Sequence, residues 1–247
     1  MSSKIMAHLV AFYPDKEASL RIAASLIQGG ASFLEVQFPF SDPTADGATI
    51  QEACTTALAN GFKVDLGFEL VKQIHGYSPL PLFIMSYSSL VYSRGIANFL
   101  AAAQKAGAKG LIVPDLPFDC DEGLYTQARA LGLEVIPVVA PTISEERLTK
   151  IASLGTTYIY AALRKGITGA FTEIGQENLE FLSRTKALGF KVLAGFGIST
   201  REQIKIIAPL VEAAIVGSAF IREIQNNLSS GDYANAVLNK MKELADK

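Results

Sequence analysis

The sequence predicts an α/β chain folded as a closed (β/α)8 barrel, the TIM-barrel architecture, and three observations carry that expectation. Eight short runs rich in β-branched and aromatic residues alternate with longer segments of helical period. Their spacing of about 31 residues is that of a strand-helix repeat. The first run leads into Phe12-Tyr13-Pro14-Asp15 rather than a GxGxxG turn, which argues against the alternative of a doubly wound open sheet. No Pro/Ser-rich linker and no internal sequence repeat divides the chain, so residues 1–247 are read as a single barrel domain.

Taken in order, the first strand is expected at 5–12, and Leu20, Ala23 and Leu26/Ile27 at helical spacing follow it up to a stop at Gly29. The second strand, 32–38, precedes a segment that closes at Gly61. A third at 81–87 is followed by Ile96, Phe99/Leu100 and Ala103, which mark a helix ending at Gly107. The fourth, fifth and sixth strands fall at 110–114, 135–139 and 157–161, with stops at Gly132, Gly155 and Gly189. After the seventh, 192–195, Ser199 and Glu202 have the spacing of a capping box, and Ile204 and Ile207 continue the helix. The eighth lies at 213–216.

Composition narrows the function. Charged residues make up 19%, below the roughly 25% of typical soluble domains, and hydrophobic residues 49%, so a large core is expected. No apolar stretch is long enough to span a membrane, and Met1-Ser2-Ser3-Lys4 does not begin a signal peptide, so the expected location is cytoplasmic. Cys54 and Cys120 form no CxxC, and His8 and His75 lie far apart, which argues against a disulfide framework or a zinc site. Catalysis is then expected on carboxylates, amines or hydroxyls. Basic residues are dispersed across a chain of net charge −2, unlike a nucleic-acid footprint.

Barrel active sites lie at the C-terminal ends of the strands. Alternation along the second strand puts Leu34, Val36 and Phe38 on one face and Phe33, Glu35 and Gln37 on the other. The apolar set should face the helices, which turns Glu35 into the barrel, where a carboxylate needs a partner or a task. The loop beyond carries Asp42, read as a turn residue before Pro43, and Asp46 before Gly47, for which turn chemistry and a site role both stay open. Glycines stand after the last three strands, in 164–169 (with Gly169), at Gly195-Phe196-Gly197 and at Gly217-Ser218. The last two, each followed by a helix start, have the pattern of a barrel phosphate site.

The run Leu34-Glu35-Val36-Gln37-Phe38-Pro39-Phe40-Ser41-Asp42-Pro43-Thr44-Ala45-Asp46-Gly47-Ala48-Thr49-Ile50-Gln51 closely resembles the signature of the tryptophan synthase alpha chain family. Pro114-Asp115-Leu116-Pro117, Ala140-Pro141-Thr142 and the glycine loops extend the resemblance over nearly the whole chain. It implies cleavage of indole-3-glycerol phosphate to indole and glyceraldehyde 3-phosphate, with no cofactor in this chain. It also implies a pyridoxal-phosphate beta chain as partner in an α2β2 heterotetramer. By resemblance Glu35 is the catalytic acid and base and Asp46 the indole-binding carboxylate. Gly169, Phe196, Gly197, Gly217 and Ser218 are placed around the phosphate, with Thr168 closing over the site, Tyr160 nearby and Asp115 supporting loop contacts.

The chain departs from the family pattern at Gln37, Ala48, Phe12 and Ser89, and a helix that the family carries before its first strand is not expected here. Gln37, on the face of Glu35, would either crowd the substrate or add a hydrogen bond. Two rival functions follow: a non-catalytic alpha-like chain that activates a beta subunit, and a stand-alone lyase releasing free indole. A Schiff-base aldolase is disfavoured, because the sixth strand holds no lysine and Lys165 lies in the loop beyond it.

Overall fold

The computed structural model describes residues 4–164 and 172–246. Nine parallel strands form the sheet: β1 (Ile5–Val10), β2 (Phe33–Gln37), β3 (Leu82–Met85), β4 (Gly110–Ile112), β5 (Glu134–Ile136), β6 (Val138–Val139), β7 (Tyr158–Ala162), β8 (Lys191–Gly195) and β9 (Ala213–Val216). Their order is β5-β4-β3-β2-β1-β9-β8-β7-β6. The two ends of that order, β5 and β6, are one run of chain, so the barrel closes on itself.

The ninth strand corrects the expected eight. The sequence predicts one strand over residues 135–139, but Pro137 has no N–H to give a ladder and divides the run. Glu134, Val135 and Ile136 pair with β4, and Val138 and Val139 with β7, while the Pro137 carbonyl still accepts from Tyr160 N–H.

Helices cover the outside. α1 (Lys16–Gly29) starts at Asp15, whose carboxylate accepts from Ala18 N–H at 2.7 Å. Its left-handed cap is Gly30 at φ 106°, one residue beyond the expected Gly29. Gly29 is instead where α11 (Tyr233–Ala245) comes close: a Cβ there would sit 2.6 Å from the Met241 side chain. Two crossovers hold more than one helix. α2 (Ala48–Ala59) and α3 (Val64–Tyr77) join β2 to β3, and α4 (Ser88–Arg94) and α5 (Ile96–Lys105) join β3 to β4. α6 (Leu124–Ala130), α7 (Glu145–Ala152), α8 (Gln176–Ala187), α9 (Arg201–Ile207) and α10 (Ser218–Asn227) complete the ring.

The alternation along β2 sorts as expected. Leu34, Val36 and Phe38 join the core between strands and helices, while Phe33 points inside with Phe83 and Tyr158. Those three rings lie 5.7–6.4 Å apart, centroid to centroid, and floor the barrel. Phe12, where the family commonly has glycine, has φ 67°, a left-handed backbone that glycine takes without strain. Here the Phe12 ring packs edge-on against Phe62 and its N–H is bound by Ser19 Oγ, contacts that hold the conformation.

Candidate active site

Above the aromatic floor, at the C-terminal end of the strands, is a cavity of about 560 Å3 counted to its open mouth. Its apolar wall comes from strand ends and loops, including Met85, Ile112, Val138, Phe196 and Ile215, and its polar groups are His8, Glu35, Asp46, Tyr160 and Ser218.

Glu35 is 3% exposed. The β1–β2 register sets His8 directly beside it, and His8 Nδ1 lies 2.9 Å from Glu35 Oε2. The carboxylate of Glu35 thus meets an imidazole, a partner the sequence reading did not assign to it. The alternation that turned Glu35 inward, applied to Ile5-Met6-Ala7-His8-Leu9, turns Met6 and His8 inward too, and that signal was present in the sequence. Burial opposes the charged imidazolium. The hydrogen bond and charge of Glu35, with the charge of Asp46 added, outweigh it, so the His8 pKa is raised above 6.5.

Asp46 follows a turn closed by its own N–H to Pro43 O, and it is 3% exposed. Tyr87 Oη donates to its Oδ2 at 2.8 Å and Gln37 Nε2 to the same oxygen at 2.7 Å. Burial raises the Asp46 pKa; the Tyr87 hydrogen bond, the His8 charge and the Gln37 hydrogen bond pull it down, Glu35 pushes it up, and the net direction is upwards. Gln37 thus adds a hydrogen bond rather than crowding the substrate: it is fully buried, reaches Asp46 and Cys54, and is not part of the cavity wall. Burial pushes the Cys54 thiol up to about 12, so it stays protonated.

Across the cavity, Tyr160 of β7 is buried, and burial, with Glu35 and Asp46 adding, holds its phenol well above 10. Its ring meets Phe196 edge-on at 5.9 Å. Phe196 and Gly197 are both left-handed, φ 73° and 86°. Their carbonyls are tied on the far side: Phe196 O accepts from Thr172 Oγ1 at 2.8 Å, and Gly197 O from Gln203 Nε2 at 2.9 Å and Thr172 N–H. The capping box is Thr200 with Gln203, not Ser199 with Glu202, because Gln203 Oε1 also accepts from the Ser199 and Thr200 N–H groups. Gly217 caps α10 and Ser218 opens it, so the start of that helix, whose first-turn N–H groups have no partner within the helix, meets the cavity.

Asp115 is exposed and receives Ser88 N–H and Oγ at 2.9 and 2.7 Å, holding the start of α4. Asp42 is exposed beside its turn. Thr168 and Gly169 lie outside the described residues. Among the described residues no three or more His, Cys, Asp or Glu side chains converge as a metal site.

A family model for the tryptophan synthase alpha chain matches residues 2–247. A tryptophan synthase alpha chain of Helicobacter hepaticus is 40% identical over 242 residues, covering 93% of this chain and 91% of that protein. One from Methanosarcina acetivorans is 37% identical, covering 96% and 87%. Among solved structures, the tryptophan synthase complex from Pyrococcus furiosus superposes with a TM-score of 0.90 at 32% identity, with all of both chains covered.

Proposed function

The chain belongs to the tryptophan synthase alpha chain family, and from that premise we propose which of its residues carry the reaction and with what partner. The family is one of carbon–carbon lyases of tryptophan biosynthesis, and the reaction is retro-aldol cleavage of indole-3-glycerol phosphate to indole and glyceraldehyde 3-phosphate.

Cleavage needs a proton on indole C3, which makes that carbon tetrahedral and the ring an electron sink, and a base for the hydroxyl on the adjacent glycerol carbon. Glu35 supplies both in turn, giving its proton to C3 and then taking the hydroxyl proton as the C–C bond breaks. Asp46 accepts the ring N–H and offsets the positive charge that develops there, its carboxylate aimed by Tyr87 and Gln37. The dianionic phosphate sits on the backbone N–H groups of the Phe196-Gly197 turn and of Gly217 and Ser218, at the positive end of the α10 dipole. Tyr160 walls the substrate between these ends; by resemblance, Gly169 stays in this reading at the phosphate and Thr168 as the residue that closes over the site. The observation that carries the proposal is that Glu35 and Asp46 line one apolar-walled cavity whose rim is the Gly217-Ser218 helix start.

The same reading gives a beta chain holding pyridoxal phosphate as partner, in an α2β2 heterotetramer. Closure of the site loops by the docked partner raises turnover by population shift, and substrate tightens the complex in return. The location is cytoplasmic, which accords with the absence, among the described residues, of a helix long and apolar enough to cross a membrane. The test is indole release from indole-3-glycerol phosphate with and without a beta chain. Slow cleavage alone and a marked rise with the partner support the reading; equal rates support the stand-alone lyase. Association without cleavage supports the non-catalytic activator.

A further inference from the structure

The His8–Glu35 pair is more than one wall of the cavity. His8 is 4% exposed and its Nδ1 faces Glu35, yet its Nε2 is buried with no hydrogen-bond partner among the described residues. Most buried side-chain polar atoms have a hydrogen-bond partner. His8 is held by a single hydrogen bond, to the carboxylate that would do the chemistry, and its ring lies against Gly217, where a Cβ would come within 3.3 Å of it. One ring therefore spans from Glu35 to the helix start at the rim.

We propose that His8 is a positioning residue that stores the proton Glu35 delivers. The proposal rests on the reading of Glu35 as acid and base. Before cleavage the pair holds one proton, shared between Nδ1 and Oε2. Glu35 passes it to indole C3, leaving a carboxylate and a neutral imidazole. The hydroxyl proton then returns to the carboxylate as the C–C bond breaks and the electron pair goes back to the ring, so the pair regains its proton and no other reactant is needed. A lone buried carboxyl would have to keep that proton unaided at neutral pH; beside His8 it need not, because the imidazole titrates in that range.

The titratable groups around the ring are consistent with storage. Glu35 from β2 and Asp46 from the following loop both favour the imidazolium. Tyr160 from β7 stays neutral, and β9 and α10 bring Ile215, Gly217 and Ser218, which do not titrate. An oxygen of the bound substrate is the acceptor that Nε2 lacks, and supplying it would hold the proton more firmly in the complex.

The experiment is the pH profile of kcat for indole release by the full-length chain and its His8→Gln and His8→Phe variants, set beside Glu35→Gln. Gln keeps a donor for Glu35 but cannot titrate. For both His8 variants we expect kcat lowered about tenfold or more, KM little changed, and the alkaline limb moved acidwards by about one unit or more. Histidine proton NMR checks the pair without a variant: the chain has two histidines, and exposed His75, assigned by His75→Gln, leaves the other signal to His8. That signal should titrate with a midpoint above 6.5. An inactive Glu35→Gln with an unchanged alkaline limb in His8→Gln overturns the storage role alone, and so does a His8 that stays neutral from about pH 5 to 8. Near-normal turnover in Glu35→Gln overturns the reading of Glu35 itself.

Discussion

Replacing Glu35 by Gln removes a proton and a charge while keeping shape, and the structure sets the size of each consequence. The transition state loses its acid and its base together, a share of catalysis worth about 10² to 10⁴ in rate, or about 2.7 to 5.4 kcal/mol. The folded state loses much less. The amide carbonyl can still accept from His8 Nδ1, now 2.9 Å from Oε2. With the Glu35 charge gone, burial of His8 is the dominant influence on it and the imidazole stays neutral, so no unpaired charge is left inside. The cost is then that of exchanging a charged for a neutral hydrogen bond, about 1 kcal/mol, rather than the 3–5 kcal/mol of a stranded buried ion. For a chain of this length that is a fall in Tm of about 2–4 °C. The assay is indole release under saturating substrate, with calorimetric binding of indole-3-glycerol phosphate to the variant and its melting curve as controls. Substrate binding within about threefold of the parent, with turnover down at least about a hundredfold, is the expected outcome. A variant that binds normally and turns over within about threefold of the parent would refute the assignment of Glu35, since an amide can exchange no proton.

Three further outcomes are expected. In Gly217→Ala the methyl lies 3.3–3.4 Å from the His8 ring and over the phosphate seat, so KM should rise about tenfold, read from steady-state kinetics with a melting curve as the folding control. Tyr87→Phe removes one of the two donors on Asp46 Oδ2 and leaves Ala45 N–H without its phenol oxygen; urea unfolding should show a loss of about 1–3 kcal/mol, and the acid limb of kcat/KM should move to higher pH because the bond that pulls the Asp46 pKa down is gone. The raised His8 pKa makes stability depend on pH. The folded value lies above the unfolded 6.5, so the contribution is complete below pH 6.5 and is lost as pH rises through the folded value; a urea series that falls across that window in the parent and is flat in His8→Gln is the expected pattern.

The barrel was legible because its information is local. Alternation along residues 33–38 assigns each side chain to one face without reference to any other part of the chain, and the structure puts Leu34, Val36 and Phe38 against the helices and Phe33 inside. Helix periods at Leu20-Ala23-Leu26 and Ile96-Phe99-Ala103 are local in the same way and lie in α1 and α5. The errors were local too: Pro137 divides a run that composition joins, and the cap of α9 falls at Thr200 because Gln203, not Glu202, can bind backbone groups on both sides of the turn. Two of the contacts around the carboxylates are of a different kind. Gln37 meets Asp46 across a turn of nine residues, and His8 meets Glu35 because β1 and β2 pair in one register out of several.

That register is where the fold and the chemistry of this site become one problem. A one-residue slip between β1 and β2 would turn His8 to the helix side and bring Ala7 or Leu9 beside Glu35, leaving a buried carboxylate with no partner from that strand. The slip is opposed by packing: Ile5, Ala7 and Leu9 fill the outer core and Met6 the barrel floor, each at most 2% exposed, and a shift would place all of them on the wrong face. The hydrophobic pattern of the first strand therefore fixes the partner of the second strand's carboxylate. The polar pair can be as poor in other contacts as it is, with Nε2 unpartnered among the described residues, because apolar burial on both sides of the sheet holds it in place.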